Sequence, residues 1–129
     1  EVNVEDSFHV YCRYGALIQI FTNLFDNSHY WLETIDNSDR RIKLQIDKNY
    51  RSVIFSDNGP GIHESISPYL FKAGYSLKQP PSGLGLYICK YYMQDMGGDI
   101  YTTSLKDRIP SMVGAQFTLD FGRVPQNIE

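Results

Sequence analysis

Apolar and polar positions change their spacing several times along the chain, and each change predicts a new element. Residues 8–12 alternate apolar and polar side chains, which predicts a short strand. Over residues 14–35 a mainly apolar stripe, which includes Ser28, recurs at helical spacing and predicts a long amphipathic helix. Residues 84–96 repeat that spacing, and the glycine pair 97–98 is expected to end this second helix.

The remaining periodic segments predict a sheet. Residues 42–46 and 53–55 flank a polar turn and predict a hairpin. Two further strands are predicted at residues 100–104 and 115–121, a short helix at residues 65–71, and a loop at residues 72–83. This order predicts an α+β fold: a two-layer α/β sandwich with helices packed on one face of a mixed, mostly antiparallel sheet.

Length and composition narrow the class of protein. The 129 residues suit a single domain, 1–129, and an initial Glu1 in place of methionine suggests that it is excised from a longer protein. Twelve basic and fifteen acidic residues are scattered, so no nucleic-acid surface is predicted. No apolar run reaches the length of a membrane span, so no membrane contact is expected of this domain. Two cysteines favour a reducing compartment, and we expect a cytoplasmic domain whether or not its parent protein is membrane-bound.

The stretch SDNGPGI, residues 56–62, combines acceptor side chains with glycines directly after an apolar run. A turn explains this composition equally well when the stretch is taken alone. The functional interpretation places Asp57 at a strand end, where its acceptor-only carboxylate could bind the exocyclic amine of adenine. Gly59 and Gly61 would then let the backbone approach a flat ring closely.

A second candidate is the pair Asn23 and Asn27, which lie one turn apart on the first predicted helix. For an isolated pair, two partly exposed polar residues are the better interpretation. The functional interpretation is that their amide oxygens hold a hard cation such as Mg²⁺, which takes few protein oxygens and keeps waters and phosphates.

The start of the second helix and the last strand hold weaker candidates. Gly83 and Gly85 bracket Leu84 where free N–H groups and the helix dipole suit a phosphate. Lys78 could reach a terminal phosphate, although solvation is the better interpretation for a lone loop lysine. The hydroxyl of Thr118 could reach a purine or a water, and its β propensity explains its presence equally well.

The ordered set of an Asn-x-x-x-Asn helix, Asp-x-Gly-x-Gly, Gly-x-Gly and a Gly-x-x-Phe-Thr strand resembles the GHKL superfamily. That group includes DNA gyrase, the heat-shock chaperone of ninety kilodaltons, MutL proteins and sensor histidine kinases. The forms NLFDNS and GLGLYI look most like the ATP-binding domain of histidine kinases, and the resemblance covers about residues 14–121. It implies a Bergerat-type ATP-binding fold.

The resemblance also implies a site that binds ATP and Mg²⁺. Asn27 looks like the Mg²⁺-coordinating asparagine with Asn23 as its partner, and Asp57 looks like the adenine-binding aspartate. Where many kinases carry a lysine this chain has Tyr30, followed by Trp31, which suits an aromatic wall against adenine. The implied ATP-binding residues are Asn23, Asn27, Tyr30, Trp31, Asp57, Gly59, Gly61, Ile62, Lys78, Gly83, Leu84, Gly85, Leu86 and Thr118.

The function implied is that of a sensor histidine kinase catalytic domain. It presents the γ-phosphoryl group of Mg²⁺-ATP to a histidine on a separate domain of the parent protein, with a response regulator as a further partner. The alternative is a GHKL-type ATPase or nucleotide-binding module that drives a conformational change in a larger protein. The catalytic glutamate of gyrase-type ATPases would fall at Asn23, so it is missing here. None of His9, His29 and His63 lies in a helical segment typical of a phosphoacceptor.

Overall fold

The computed structural model describes residues 6–75 and 84–127. In chain order, the regular elements are helix α1 (Tyr14–Leu32), strands β1 (Ile42–Asp47) and β2 (Ser52–Asp57), helix α2 (Gly85–Asp95), and strands β3 (Asp99–Thr102) and β4 (Gln116–Asp120). Two short 3₁₀ turns lie at Ser67–Tyr69 and Leu105–Asp107. Lys78 and Gly83, predicted to bind ATP, lie outside the described residues.

The strands form one sheet in the order β1-β2-β4-β3, and its three pairings are all antiparallel. The two helices pack on one face of this sheet. The predicted two-layer α/β sandwich is therefore confirmed, and within the described residues the sheet is antiparallel throughout. None of the described helices is long and apolar enough to cross a membrane.

The core lies between the helices and the two central strands. Phe55 of β2 is directly opposite Phe117 of β4, and both side chains are buried against the helices. Ile20 of α1 and Met93 of α2 belong to the same buried core. Burying each such side chain contributes about 1.5–3 kcal/mol, so this core fixes how the ends of α1, β2 and β4 meet.

Cys89 of α2 belongs to the same core. Its side chain is fully buried, and its thiol donates a hydrogen bond to the carbonyl oxygen of Ile20 at 3.4 Å. Burial raises the pKa of Cys89 to about 12. The thiol therefore stays protonated at neutral pH and serves packing, with no nucleophilic role.

One predicted strand is absent, and one predicted helix end is misplaced. Residues 8–12 form no strand, although Phe8 and Val10 still pack against the core. Among the described residues their backbone bond to a neighbouring segment runs from the N–H of Tyr11 to the carbonyl of Pro125. Because a proline has no N–H to return, a ladder cannot continue there. Helix α1 ends at Leu32, before the predicted residue 35.

The other elements lie within a few residues of their predicted positions. The short helix predicted at residues 65–71 is the 3₁₀ turn Ser67–Tyr69. Strand β3 starts one residue earlier and ends two residues earlier than predicted, and β4 is one residue shorter at each end. Helix α2 covers the predicted segment except for its two terminal residues.

Candidate functional site

A cleft of about 850 Å³ opens beside the buried ends of β2 and β4. It is lined by α1, the end of β2 and the segment after it, the start of α2, and the β3–β4 connection with the adjoining strand ends. Its lining includes Asn23, Asn27, Trp31, Asp57, Gly61, Ile62, His63, Glu64, Gly85, Leu86, Arg108, Gly114 and Ala115. Eight of the predicted ATP-binding residues are therefore brought together at one opening.

Asp57 ends β2 at the floor of the cleft and is only 2% exposed. Its Oδ1 accepts hydrogen bonds from the backbone N–H groups of Gly59 at 3.0 Å and Ala115 at 3.1 Å. Its Oδ2 accepts one from the hydroxyl of Ser28 at 2.7 Å. A carboxylate offers about four lone-pair positions. Within the described structure three are used, so one acceptor position remains, on Oδ2.

The backbone around Asp57 is fixed by the end of the β2–β4 ladder. The N–H of Asp57 donates to the carbonyl of Ala115 at 3.0 Å, and the N–H of Gly114 donates to the carbonyl of Asp57 at 2.9 Å. A Cβ atom on Gly114 would lie 2.1 Å from Oδ1 of Asp57 and 2.5 Å from the nitrogen of Gly59. Position 114 therefore requires glycine, because any side chain would collide with the carboxylate and its donor.

Ser28 is a functional candidate that the sequence analysis missed. It falls in the buried stripe of α1, is 1% exposed, and gives its hydroxyl to Asp57. A small hydroxyl at a position that helical periodicity buries needs a hydrogen-bond partner. That requirement was the available signal, and it indicates that Ser28 faces a polar group within the core.

The two asparagines of α1 have different surroundings. The side-chain amide of Asn23 donates to the carbonyl of Gly85 at 3.2 Å, and its oxygen accepts from the side chain of Gln19 at 2.9 Å. Asn23 therefore joins α1 to the start of α2. The carboxamide of Asn27 lines the cleft and makes no hydrogen bond within the described residues. Its oxygen is thus free to coordinate a ligand.

The start of α2 faces the same opening. Gly85 and Leu86 line the cleft, whereas Leu84 is 50% exposed and lies outside the lining. Leu84 is the N-cap residue and provides no side-chain cap for the helix. Because the first N–H groups of a helix have no helical acceptor, this end retains donors and a positive dipole end.

The segment after β2 forms one wall. Gly61 has φ of +84°, a left-handed conformation that favours glycine, and lines the cleft together with Ile62. Gly59 is buried beside Asp57 as a hydrogen-bond donor and does not itself line the cleft. His63 and Glu64, which the sequence analysis did not select, lie on the exposed rim.

Two predicted contacts fall outside the cleft lining. Tyr30 packs edge-on against Trp31 with ring centroids 5.0 Å apart, and only Trp31 lines the cleft. Thr118 lies on β4 between Phe117 and Leu119, which face the helices. Because side chains alternate along a strand, Thr118 faces the other side of the sheet, where its hydroxyl lies 2.9 Å from that of Thr103. The expected contact of Thr118 with a purine is therefore not supported.

The β3–β4 connection contributes Arg108, a residue that sequence reasoning did not select. Its Nη2 donates to the carbonyl of Gly114 at 2.9 Å and more weakly to that of Met112 at 3.4 Å. Over residues 6–75 and 84–127 no cluster of three or more His, Cys, Asp or Glu side chains could hold a metal ion. A divalent cation here would need amide oxygens and the ligand's own oxygens.

The chain is similar to bacterial sensor kinases. It is 35% identical over 82 residues to the autoinducer 1 sensor kinase/phosphatase LuxN of Vibrio campbellii. This match covers 63% of this chain and 10% of that protein. It is 30% identical over 107 residues to the signal transduction histidine-protein kinase/phosphatase MprB of Mycobacterium ulcerans, covering 80% of this chain and 20% of that protein. The chain thus spans about a tenth to a fifth of the length of these two relatives.

Solved structures share the fold. A mycobacterial sensor histidine kinase MprB superposes with a TM-score of 0.67 at 25% identity, over 85% of this chain and 72% of that one. The nucleotide-free catalytic domain of histidine kinase ThkA gives a TM-score of 0.63 at 25% identity, over 91% and 71%. Residues 13–125 match the family described as "Histidine kinase-, DNA gyrase B-, and HSP90-like ATPase". The chain therefore belongs to this family of ATP-binding domains, as the GHKL resemblance predicted.

Proposed function

We propose that this chain is the ATP-binding catalytic domain of a sensor histidine kinase. It binds Mg²⁺-ATP and presents the γ-phosphoryl group to a histidine on a separate domain of a longer protein. The observation that carries the proposal is the single acceptor position left on Oδ2 of Asp57 at the floor of the cleft. The sensor kinases among the relatives favour a kinase over other members of the family.

Adenine suits this floor because its exocyclic amine offers a donor to the remaining lone pair of Asp57. Ser28 and the two backbone N–H groups hold the carboxylate so that it does not rotate to find other donors. The apolar side chains of Trp31, Ile62 and Leu86 line the cleft and suit the faces of the base. The adenine base would thus bind at a buried, oriented contact, and the phosphates would bind at the open side of the cleft.

The phosphates would lie towards the start of α2 and Asn27. Mg²⁺ takes one or two protein oxygens and completes its shell with waters and phosphate oxygens, so the free carboxamide oxygen of Asn27 fits as its protein ligand. When bound, the ion would supply positive charge against the negative charge that develops during phosphoryl transfer. Gly85 presents backbone donors at the helix end, and Gly83 and Lys78 are proposed as further phosphate contacts.

The chemistry asked of this chain is mainly positioning. Phosphoryl transfer needs the attacking nucleophile in line with the leaving oxygen and little covalent participation by the protein. The nucleophile would be a histidine of the phosphoacceptor domain, and a response regulator would receive the phosphoryl group next. We place this domain in the cytoplasm, where ATP and such partners are found.

The test is the substitution Asp57→Asn. It replaces the free acceptor oxygen with an amide donor that faces the adenine amine, and leaving such a polar contact unmade costs about 1–3 kcal/mol. We expect ATP affinity, measured by titration calorimetry, to fall roughly ten- to hundredfold. The matched control is Asp26→Asn, which changes an exposed carboxylate of α1 that does not line the cleft.

Phosphotransfer supplies the second half of the test. The chain is mixed with radiolabelled ATP and the phosphoacceptor domain of its parent protein, and label on the acceptor is followed in time. Wild type and Asp26→Asn should label the acceptor, and Asp57→Asn should label it far more slowly. A folded Asp57→Asn variant with wild-type affinity would remove Asp57 from the site, and labelling absent in every case would refute the kinase assignment.

A further inference from the structure

The peptide group between Gly114 and Ala115 carries a cation on one side and an anion on the other. Its carbonyl oxygen, on Gly114, accepts a hydrogen bond from Nη2 of Arg108 at 2.9 Å. Its N–H, on Ala115, donates to Oδ1 of Asp57 at 3.1 Å. In a trans peptide the C=O and N–H bonds point in opposite directions. The guanidinium and the carboxylate therefore lie at the two ends of one peptide dipole.

This arrangement is shielded from water at its centre. Asp57, Gly114 and Ala115 are buried, and Arg108 is half-buried. Within the described residues Arg108 forms no ion pair with a carboxylate. Hydrogen bonds in series polarise one another, by about 10–30% per bond in condensed-phase estimates. A guanidinium on the carbonyl therefore makes the N–H of Ala115 a stronger donor to Asp57.

The segment that carries Arg108 is itself held in place. The side-chain amide of Gln116 donates to the carbonyl of Ile109 at 2.9 Å and to that of Met112 at 2.7 Å, and its oxygen accepts from the N–H of Ile109 at 2.9 Å. Gln116 is 1% exposed. The backbone next to Arg108 is thus fixed to β4, which keeps the guanidinium in reach of Gly114.

We propose that Arg108 is a positioning residue for the adenine-binding carboxylate. It fixes and polarises the peptide that holds Oδ1 of Asp57, so that the remaining lone pair on Oδ2 is directed at the exocyclic amine of the base. Arg108 therefore contributes to selectivity for purines that carry this amine. The inference rests on the proposed function, because it requires the amine to bind at Asp57.

A nucleotide without the amine separates this role from a general effect on the cleft. Purine riboside triphosphate has a hydrogen atom where ATP has the exocyclic amine, and the rest of the molecule is the same. A residue that acts through Asp57 changes the affinity for ATP and leaves that for purine riboside triphosphate nearly unchanged. A residue that only shapes the cleft changes both affinities by the same factor.

The experiment measures both affinities by calorimetry for wild type, Arg108→Ala, Asp57→Asn and the double variant. We expect Arg108→Ala to weaken ATP about three- to tenfold, as coupled neighbours do, with less than a twofold change for purine riboside triphosphate. In the Asp57→Asn background the effect of Arg108→Ala on ATP should disappear. Arg123→Ala, at an exposed arginine outside the cleft lining, is the control.

Two conservative variants test whether the charge of Arg108 matters. They also keep the proposal testable if Arg108→Ala folds poorly. Arg108→Gln keeps part of the stem without the charge and should show the same selective loss. Arg108→Lys keeps a cation and should recover most of the preference for ATP, whereas equal losses in both variants would overturn the electrostatic role.

The failures of the two proposals differ. If Asp57→Asn weakens ATP but Arg108→Ala weakens both nucleotides equally, or retains its effect in the Asp57→Asn background, Arg108 is not a positioning residue and the adenine contact stands. If Asp57→Asn leaves ATP affinity unchanged in a folded protein, the adenine contact fails, and the role of Arg108 fails with it.

Discussion

At the scale of single residues, the hydrogen-bond partners distinguish the two asparagines of α1. The side-chain nitrogen of Asn23 donates to Gly85 and its oxygen accepts from Gln19, whereas Asn27 presents its carboxamide to the cleft. An amide that already joins two helices has little freedom to follow a ligand. Asn27 is therefore the candidate for the cation, and Asn23 sets the distance between α1 and the start of α2.

Asn27→Ala should weaken binding of Mg²⁺-ATP more than binding of adenosine. The side chain would serve the cation, and the cation serves the phosphates, which adenosine lacks. Calorimetric titrations of both ligands give the comparison. Gln45→Ala, which removes an exposed amide of β1, is the control. Repeating the ATP titration with EDTA should abolish the difference between wild type and Asn27→Ala, and equal losses for ATP and adenosine would show that Asn27 merely supports the fold.

The residues of the site differ in how far the sequence could reveal them. Asp57 could be found because its signal is local: an acceptor at a strand end, followed by glycines. Gly114 covers the same carboxylate from a position 57 residues later in the chain. Arg108 reaches it through a peptide of that same distant segment. Such contacts depend on how strands pair, so local composition at 108 or 114 contains no sign of them.

At the scale of elements, the end of α2 shows a backbone motif that depends on one glycine. The N–H of Gly98 donates to the carbonyl of Met93 at 2.8 Å, and the N–H of Gly97 donates to that of Gln94 at 3.1 Å. Gly97 has φ of +97°. This is the Schellman arrangement, in which a left-handed residue satisfies the last helical carbonyls and turns the chain into β3.

Gly97→Ala should destabilise the protein by about 1–2 kcal/mol, the cost of a left-handed conformation for a residue with a Cβ. Space does not explain this cost, because the nearest atom to the added Cβ would be the carbonyl oxygen of Arg123 at 3.5 Å. Urea unfolding measures the change.

The matched variant for this test is Gly15→Ala in the first turn of α1. An added Cβ there meets no atom within 4 Å. That substitution should be neutral or stabilise the protein by up to about 1 kcal/mol. Equal effects of the two variants would mean that the positive φ of Gly97 does not determine the stability of this end of α2.

Elements with a sustained apolar pattern were predictable from the sequence, and the segment at residues 8–12 was not. The stripes of α1 and α2 and the alternation in β2 and β4 reflect burial against one shared core, so pattern and structure agree there. In β1 only Ile42 and Ile46 pack on this core, and Leu44 is exposed. Residues 8–12 have the same alternation and also pack on the core, but their neighbour at Pro125 cannot complete a ladder. Whether an alternating segment becomes a strand thus depends on its partner, which the segment does not encode.

At the scale of the whole molecule, the cleft is built for holding a nucleotide and poorly equipped for hydrolysing it. Of the described residues that line it, Asp57 and Glu64 carry carboxylates. Asp57 lies at the floor with three hydrogen bonds already made, and Glu64 lies exposed on the rim. Asn23, where related ATPases place a glutamate, is tied to Gly85 and cannot accept a proton near neutral pH.

The isolated chain should therefore bind ATP yet release phosphate barely above background. Hydrolysis needs a group that activates or orients the attacking water, and in the described cleft only Glu64 has an exposed carboxylate to offer. Steady-state phosphate release with Mg²⁺-ATP is measured for wild type, Glu64→Gln and Asp57→Asn, and all three should be equally slow. Turnover by wild type at about 1 s⁻¹ or faster, as is typical of enzymes, with loss in Asp57→Asn, would favour an ATPase over a kinase. If turnover were lost in Glu64→Gln as well, Glu64 would be the base that activates the attacking water. Water would then compete with the phosphoacceptor histidine for the γ-phosphoryl group.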